Sequence, residues 1–266
     1  MKIAIVYICT GKYDMFFKDF YESSETYFIP NSQKTYFVWT DSKLEVFNKS
    51  NVIKTHQDKL GWPFDTLMRF KMFNDKKEEL SKFDFVFFFN ANMKILKEIS
   101  GLEILPSLED NWLVGVEHAG YQNIRGPLET RIESTAFVDY SKYCQYHQGC
   151  LFGGSSWAFL KMAEELNENV NRDLERNIIA IWHDESHLNR YFSDHNPKTL
   201  KSKYAFPENW HFEEEKICIQ IDKSKFPGGH QGLRSKDILS NHIKKNFLLR
   251  LKKFFVNKII NRFMIF

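Results

Sequence analysis

Apolar positions in the first half of the chain fall into short runs that polar or glycine-containing turns separate. Six of the seven positions from Phe83 to Phe89 are apolar, which is typical of a strand buried on both faces of a helix-covered sheet. Further strands are predicted at residues 2–9, 35–39, 52–53 and 112–116. Helices are predicted at residues 13–28, 62–80, 155–166 and 172–181. This alternation indicates an α/β fold.

Polar residues follow two of the predicted strands. Thr10-Gly11-Lys12 continues the first strand into a helix, the usual opening of a nucleotide-binding α/β unit, although its single glycine excludes dinucleotide and P-loop fingerprints. Asn90-Ala91-Asn92 ends the Phe-rich strand. Ligands of open α/β sheets bind at carboxyl ends of strands, so the two amides are candidate ligand contacts. An Asn-rich turn that only caps the strand is the alternative.

Three other features in the middle of the chain are compatible with a ligand site. Residues 122–146 are polar and poorly periodic, as substrate loops often are. The glycine-rich stretch from Gly149 to Gly154 suits the close approach of a ligand, or else a bulge or tight turn. Arg69 lies beside the apolar stripe of its predicted helix, where it either extends to the surface or reaches an anion.

The segment from Trp182 to His187 contains one indole, two imidazoles and two carboxylates. His183 and His187 have the spacing of a zinc helix, but Asp184 follows the first His where the metalloprotease motif requires Glu. A helix start, with Asp184 as N-cap and Glu185 in the first turn, is the simpler alternative. The crowding of titratable groups exceeds what a cap requires and favours a site where charge develops.

The composition indicates a globular protein with reduced cysteines. A chain of 266 residues with 43% hydrophobic content can bury a full core as one large domain or two small ones. The four cysteines lack zinc-like or paired spacing, which favours a cytoplasmic protein. The apolar run from Ile3 to Cys9 has no small-residue cleavage site after it and is interpreted as a strand, not as a signal peptide.

Basic charge is concentrated at the C-terminus. Residues 237–266 carry seven Lys or Arg and one Asp, so that residues 1–236 have a net charge of −3 although the whole chain has +3. A slightly acidic body argues against nucleic acid as a partner. No run of 18 apolar residues exists. In residues 243–266 apolar and basic positions interleave, which predicts either an interfacial helix on an anionic membrane, a docked terminal helix or a disordered tail.

Several segments resemble those of glycosyltransferase family 6, the histo-blood-group A and B transferases and α1,3-galactosyltransferases. Asp84 to Met93 resembles the segment around the metal-binding Asp-x-Asp of that family, and Trp182 to Tyr191 resembles its most distinctive segment almost letter for letter. The matches occur in family order over residues 3–235. The others are Tyr13, Trp62 with Arg69, His118-Ala119-Gly120-Tyr121, Phe152-Gly153-Gly154, and His230-Gln231 with Arg234.

The resemblance implies a GT-A fold in residues 1–235, a Rossmann-like sheet flanked by helices, with residues 236–266 as a basic amphipathic extension. It implies retaining transfer of galactose or N-acetylgalactosamine (GalNAc) from UDP to the 3-hydroxyl of a galactoside, expected to be fucosylated as in the H antigen. Animal members carry an N-terminal membrane anchor, whereas this chain begins at its first strand. A bacterial-type, cytoplasmic member is therefore expected, peripheral on the inner face of the membrane.

Site residues are carried over by position in the resembling segments. Glu185 matches the catalytic carboxylate and is also expected in the acceptor site with His118 and Trp182. Gln148, Gly149 and Cys150 match positions that choose between donors. Other donor contacts are implied for Ile8, Cys9, Thr10, Tyr13, Arg69, Asn90, Ala91, Asn92, Asp184, Lys225 and Arg234.

Asn90 and Asn92 stand where the family has two metal-binding aspartates. Neutral amide oxygens are poor ligands for a hard dication, so no divalent metal and no other cofactor is expected. Protein cations must then neutralise the leaving diphosphate. Arg69, Arg234, and Lys223 or Lys225 are candidates. The family's Lys before its last Arg aligns with Gly228, so that Lys225 or a neighbour is expected to replace it.

A GalNAc donor is favoured over galactose because Gly149 leaves room for an acetamido group and Cys150 is small. Gln148 does not distinguish the two donors, since its amide bonds equally well to an acetamido group or to a hydroxyl. The alternatives are a metal-dependent α1,3-galactosyltransferase and a non-catalytic module that binds sugar nucleotides or glycans. A decayed site would also lose its other functional residues, whereas this chain retains Glu185, Asp184, Arg69 and Trp182.

Overall fold

The computed structural model describes residues 1–122, 124–139, 141, 145–211 and 215–234. Within them, strands and helices alternate in the first half of the chain. The strands are β1 (Lys2–Ile8), β2 (Gln33–Thr40), β3 (Val52–His56), β4 (Phe85–Phe89), β5 (Met93–Ile95), β6 (Leu113–Glu117), β7 (His147–Ser155), β8 (Lys198–Leu200), β9 (Phe206–Pro207) and β10 (Cys218–Gln220). The α-helices are α1 (Phe17–Tyr27), α2 (Phe64–Leu67), α3 (Arg69–Asn74), α4 (Lys77–Leu80), α5 (Gly101–Ile104), α6 (Ser156–Glu175), α7 (His183–His195) and α8 (Gly229–Arg234).

Seven strands form the main sheet, in the order β3-β2-β1-β4-β7-β6-β8. The first four are parallel, whereas β7 runs antiparallel to both of its neighbours, β4 and β6. A small second sheet has the order β5-β10-β9. The chain passes from β1 to β2 on one side and later returns to place β4 on the other side of β1. This reversal creates a switch point between β1 and β4, where open α/β sheets bind ligands.

Helices cover both faces of the central strands. Alternate residues of β1 enter opposite layers, with Ile5 and Tyr7 in one apolar cluster and Ala4 and Val6 in the other. The Phe-rich strand β4 is buried on both faces, as its sequence predicts, and Phe88 is 1% exposed. The layered architecture confirms the predicted α/β class and the Rossmann-like GT-A fold.

Helix boundaries differ from the sequence prediction in two regions. The single helix predicted at 62–80 is three short helices, because the backbone leaves the α-helical region at Met68 and Lys76. The helices predicted at 155–166 and 172–181 are instead one helix, α6, which ends at Glu175. Asn177 then adopts a left-handed φ of 58°, which ends a helix in the usual way.

The alternative in which Asp184 is only a helix N-cap does not hold. Helix α7 begins at His183, and Asp184 lies in its first turn. The carboxylate of Asp184 is paired with Arg69 instead of bonding to the backbone of its own helix.

The glycine-rich stretch is part of strand β7 and not a separate turn. A Cβ atom on Gly153 would lie 2.5 Å from Cδ1 of Phe87, and one on Gly154 would lie 2.4 Å from the carbonyl oxygen of Trp112. These glycines let β7 pack against large neighbours in the sheet. The only register shift between β6 and β7 in the described pairing falls at Gly115 and Val116, near the end of β7 that faces the site.

Across the described residues, the helices are all too short or too polar to cross a membrane. The predicted amphipathic segment at residues 243–266 and Cys144 lie outside the described residues.

Candidate active site

Two cavities open at the carboxyl edge of the central strands. Of the residues described, Asn90 alone lines both cavities. The first cavity is lined by Ile8, Thr10, Tyr13, Trp62, Asp65, Thr66, Asn90, Ala91, Lys223 and Arg234. The second is lined by Asn90, His118, Ala119, Gln148, Gly149, Cys150, Asp184, Glu185, Pro207, Trp210 and Gln220.

The first cavity lies at the switch point between β1 and β4. The register pairs Tyr7 with Phe89, so that Ile8 lies beside Asn90 at the strand ends. The turn after β1 is held by a hydrogen bond from the Gly11 N–H to Oδ1 of Asp41 (2.7 Å). This places Tyr13 against the cavity, where the family resemblance implies a donor contact.

Cys9 is the one predicted member of the β1 turn that does not line this cavity in the described structure. Its thiol is fully buried in the apolar cluster on the α1 side of the sheet. Only the main chain of Cys9 is therefore near the strand ends.

Two cations face the first cavity. Nζ of Lys223 lies 5.5 Å from the ring centroid of Tyr13, and the guanidinium of Arg234 lies 5.1 Å from the ring centroid of Trp62. Burial, and then repulsion by Arg234, lowers the pKa of Lys223 to about 8. Two partly desolvated cations placed together favour the binding of an anion.

Lys225, the predicted replacement for the family lysine, does not line either cavity. Its Nζ lies 2.8 Å from Oε1 of Glu208, and its side chain is 58% exposed. Lys223 and Lys225 belong to one 3₁₀ turn, in which residues two apart point in different directions. The structure therefore places Lys223 at the cavity, a choice that the sequence left open.

Glu185 lies in the second cavity and is held by two neutral donors. The hydroxyl of Tyr146 donates to Oε1 (2.7 Å), and the N–H of Gly149 donates to Oε2 (2.7 Å). Burial raises the pKa of Glu185 to about 7 in spite of these two bonds, and the neighbouring Asp184 raises it further. The group is therefore an oriented carboxylate that changes its charge near neutral pH.

Asp184 also lines the second cavity, but a cation compensates its charge. Nη1 of Arg69 lies 3.0 Å from Oδ2 of Asp184 and donates to the carbonyl of Gly149 (2.7 Å). Arg69 is 4% exposed and lines neither cavity in the described residues. The anion that this arginine contacts is thus Asp184. Arg69 itself lies outside the cavity and contacts two residues that line it, Asp184 and Gly149.

Gln148, Gly149 and Cys150 all line the second cavity, as their predicted role requires. The Gln148 amide group donates to the carbonyls of Glu117 (3.1 Å) and Ala205 (3.0 Å), and its oxygen accepts from Gln220 (2.7 Å). Only the oxygen retains capacity for a further bond.

A side chain at Gly149 would meet the two carboxylates of the site. A Cβ atom there would lie 3.3 Å from Oδ2 of Asp184 and 3.5 Å from Oε2 of Glu185. Any side chain at this position would crowd both carboxylates of the site.

The amides of Asn90 and Asn92 are bonded to each other. Nδ2 of Asn90 donates to Oδ1 of Asn92 (3.2 Å), and Nδ2 of Asn92 donates to the carbonyl of Ile221 (3.0 Å). Asn92 is 2% exposed, and its main-chain carbonyl accepts from the N–H of Ile221 (2.8 Å). Asn90 and Ala91 therefore face the first cavity, whereas Asn92 ties this strand end to the segment that carries Lys223.

Besides Glu185, two residues are predicted for the acceptor site, and they lie in different surroundings. His118 lines the second cavity, its Nδ1 accepts from the N–H of Gly120 (3.0 Å), and burial lowers its pKa. The side chain of Trp182 is 46% exposed and lines neither of the two cavities as described. Tyr146, Trp210 and Gln220 were not predicted, because they lie outside the motifs and carry no periodic signal.

The two histidines of the Trp182 segment do not share a site. The ring of His183 packs edge-on against Trp62, with centroids 4.5 Å apart. His187 is buried beside Asp173, with Nε2 3.8 Å from a carboxylate oxygen. Nowhere in the described part of the chain do three or more His, Cys, Asp or Glu side chains lie together as a metal site would require.

Comparison with known proteins supports the resemblance. The family model "Glycosyltransferase family 6" matches residues 1–227. The chain is 39% identical over 229 residues to the O-antigen biosynthesis glycosyltransferase WbnI of Escherichia coli, covering 85% of this chain and 96% of the relative. It is 26% identical over 248 residues to histo-blood group ABO system transferase 2 of Rattus norvegicus, covering 88% and 71% of the two chains.

A third relative is the human globoside alpha-1,3-N-acetylgalactosaminyltransferase 1, which is 26% identical over 223 residues, covering 78% of this chain and 62% of the relative. The family match extends from β1 into the turn before α8 and so includes nearly all of the residues that line the two cavities. The chain is therefore a glycosyltransferase and belongs to glycosyltransferase family 6.

Proposed function

We propose that this chain transfers GalNAc from UDP-GalNAc to the 3-hydroxyl of a fucosylated galactoside, with retention of the α configuration and without a divalent metal. The observation that carries the proposal is the position of Asn90 at the junction of two cavities. One cavity has the aromatic ring and the two cations that a nucleoside diphosphate requires, and the other contains Glu185. A sugar nucleotide that spans both would place its sugar beside the carboxylate.

The chemistry that these groups support is an exchange at carbon 1 of the donor sugar. The bond from carbon 1 to the β-phosphate oxygen of UDP breaks, and a bond to the acceptor 3-oxygen forms on the same face. The hydroxyl proton passes to the departing diphosphate on that face. The ionised Glu185 on the opposite face either stabilises an oxocarbenium-like transition state or forms a covalent intermediate.

Three neighbouring residues orient Glu185 or limit the repulsion on its charge. Tyr146 and the N–H of Gly149 each donate to one of its oxygens and so orient the carboxylate toward the cavity. Arg69 neutralises Asp184 and thereby limits the repulsion that a second carboxylate would exert on Glu185.

The bonding of the Asn pair supports metal independence. The carboxylates of an Asp-x-Asp site offer several free oxygens to a cation, whereas Oδ1 of Asn92 accepts from Asn90 and its Nδ2 donates to Ile221. These amides do not fit a divalent metal. Lys223 and Arg234 line the same cavity and are the charges that would stabilise the leaving diphosphate.

A GalNAc donor is supported by the absence of a side chain at Gly149 and by the small side chain of Cys150 beside it. Gln148 is compatible with both donors, because its oxygen accepts an acetamido N–H or a hydroxyl equally well. The human relative is named for alpha-1,3-N-acetylgalactosaminyl transfer, which supports GalNAc as the donor sugar, and the rat relative is named for the ABO blood-group system.

A UDP-release assay tests the proposal. UDP-GalNAc and UDP-galactose are each supplied with a fucosylated galactoside in EDTA, and again with added manganese. We expect faster release from UDP-GalNAc, with an α1,3-linked product and no gain from manganese. Activity that appears only with manganese would point to the metal-dependent alternative. Donor binding without turnover under either condition would point to a non-catalytic binding module.

A further inference from the structure

The second cavity has an aromatic wall that no motif indicates. Trp210 lines it together with Glu185 and Gln148, and its side chain is 47% exposed. Trp182, the indole expected in the acceptor site, lines neither described cavity. The cavity therefore contains one large apolar face that is open to a ligand and that the donor-binding residues do not use.

The turn that carries this indole is held firmly. Nζ of Lys216 donates to three main-chain carbonyls, those of Pro207 (3.1 Å), Glu208 (3.0 Å) and Trp210 (2.6 Å). The same ammonium lies 5.0 Å from the ring centroid of Phe206, which meets the indole of Trp210 edge-on at 6.3 Å. A pre-organised aromatic face loses little entropy when a ligand binds to it.

A second ring approaches the same space. A Cβ atom on Gly120 would lie 3.4 Å from the imidazole of His118 and 3.5 Å from Cη2 of Trp210. The glycine therefore separates the two rings and keeps the space between them free of a side chain. The cavity also has a polar wall, which includes Glu185 and Gln148.

We propose that Trp210 is the stacking platform for the acceptor sugar and determines acceptor specificity, an inference that rests on the proposed transferase function. A hexose with an axial 4-hydroxyl presents the C–H groups of carbons 3, 4 and 5 on one face, and an indole packs well against such a face. The hydroxyls then point toward the polar wall. This arrangement selects a galactoside and directs its 3-hydroxyl toward the side of Glu185.

The test compares Trp210→Ala and Trp210→Phe with Trp157→Ala. Trp157 is a 66% exposed residue at the start of α6 and lines neither cavity, so it controls for the loss of an exposed indole. We expect Trp210→Ala to raise the acceptor KM about tenfold, and Trp210→Phe to raise it less. In the Trp210 variants the acceptor KM should rise more than the donor KM, and Trp157→Ala should change either value by less than about twofold.

An unchanged acceptor KM in Trp210→Ala would overturn the inference. So would a joint loss of donor hydrolysis and transfer, because it would show that the indole only maintains the fold.

Saturation-transfer NMR with a galactoside provides a readout that is independent of turnover. Wild-type protein should show contacts at hydrogens 3, 4 and 5, and Trp210→Ala should lose them. If no donor is turned over but these contacts depend on Trp210, then the proposed function fails and the platform stands. If turnover is normal and the contacts do not depend on Trp210, then the proposed function stands and only the inference about Trp210 is rejected.

Discussion

Arg69 and Asp184 form a buried ion pair, with 3.0 Å between Nη1 and Oδ2, at the wall of the cavity that contains Glu185. The adjacent carboxylate, Glu185, is held instead by the neutral donors Tyr146 and Gly149. Two consecutive carboxylates thus have different environments, and different environments give neighbouring carboxylates different roles. Asp184 is a fixed, compensated charge, and Glu185 is the group available to the reaction.

Replacement of Glu185 by Gln tests the catalytic carboxylate. The Gln oxygen can accept from Gly149 N–H, and its NH₂ can donate to the Tyr146 hydroxyl, so the shape of the site is preserved. We expect kcat to fall by about a thousandfold or more, because the charge that stabilises the transition state is lost. UDP binding, measured by calorimetry, should remain within about threefold of wild type. Near-normal turnover would end the assignment of Glu185.

The pH dependence of kcat/KM should be bell-shaped. Glu185, with its pKa raised to about 7, must be ionised, so that activity falls as the pH decreases through that value. Lys223, with its pKa lowered to about 8, must be protonated to hold the diphosphate, so that activity falls as the pH rises above that value. Lys223→Arg, which keeps the charge at high pH, should remove the alkaline limb only. A profile that stays flat from about pH 6 to pH 9 would contradict both roles.

Removal of one partner from the pair of Arg69 and Asp184 should strongly destabilise the fold. Arg69→Met leaves Asp184 buried without its counter-charge, and we expect the free energy of unfolding in urea to fall by about 3–5 kcal/mol. Adding Asp184→Asn should recover part of this loss. Lys77→Met is the matched control, because it removes an exposed ion pair with Glu164 (2.8 Å) and should change stability by about 1 kcal/mol or less. Equal effects of the two single variants would contradict the prediction.

Asn92→Asp should not create a metal-dependent enzyme. The new carboxylate would place an oxygen against the carbonyl of Ile221, where an N–H now donates, and we expect a loss of about 1–3 kcal/mol in stability. The activity of the variant, measured in EDTA, should be lower than that of the wild type, and added manganese should not restore it. The exposed residue Asn48 provides the control, since Asn48→Asp should change neither the stability nor the activity. Manganese binding that rescues Asn92→Asp would favour the metal-using alternative.

The C-terminal residues are proposed to bind anionic membranes. The full chain should float with vesicles that contain anionic lipid, and a chain that ends at Ser235 should not, because each basic residue near such a surface contributes about 1 kcal/mol. Vesicles of neutral lipid are the control. Flotation that does not depend on residues 236–266 would remove the basis for a membrane-peripheral enzyme.

The local pattern of the sequence determined the strands that carry the site. The continuous apolar runs of β1 and β4 predict doubly buried strands without reference to the rest of the chain, and the residues that end them line the first cavity. The Trp182 segment likewise indicates the carboxylates of the second cavity, since its crowded titratable groups are neighbours in the chain. These features were predictable because they depend on residues close together in sequence.

Tertiary structure alone decided which distant side chains meet. Three features depend on how separate elements pack: the pairing of Arg69 with Asp184, the selection of Lys223 over Lys225, and the presence of Trp210 in the same cavity as Glu185. Contacts between residues far apart in the chain follow from the arrangement of the whole sheet and its helices, and no local periodicity encodes them. The sequence therefore determined the chemical groups of the site, and packing determined the partners that set their charge and orientation.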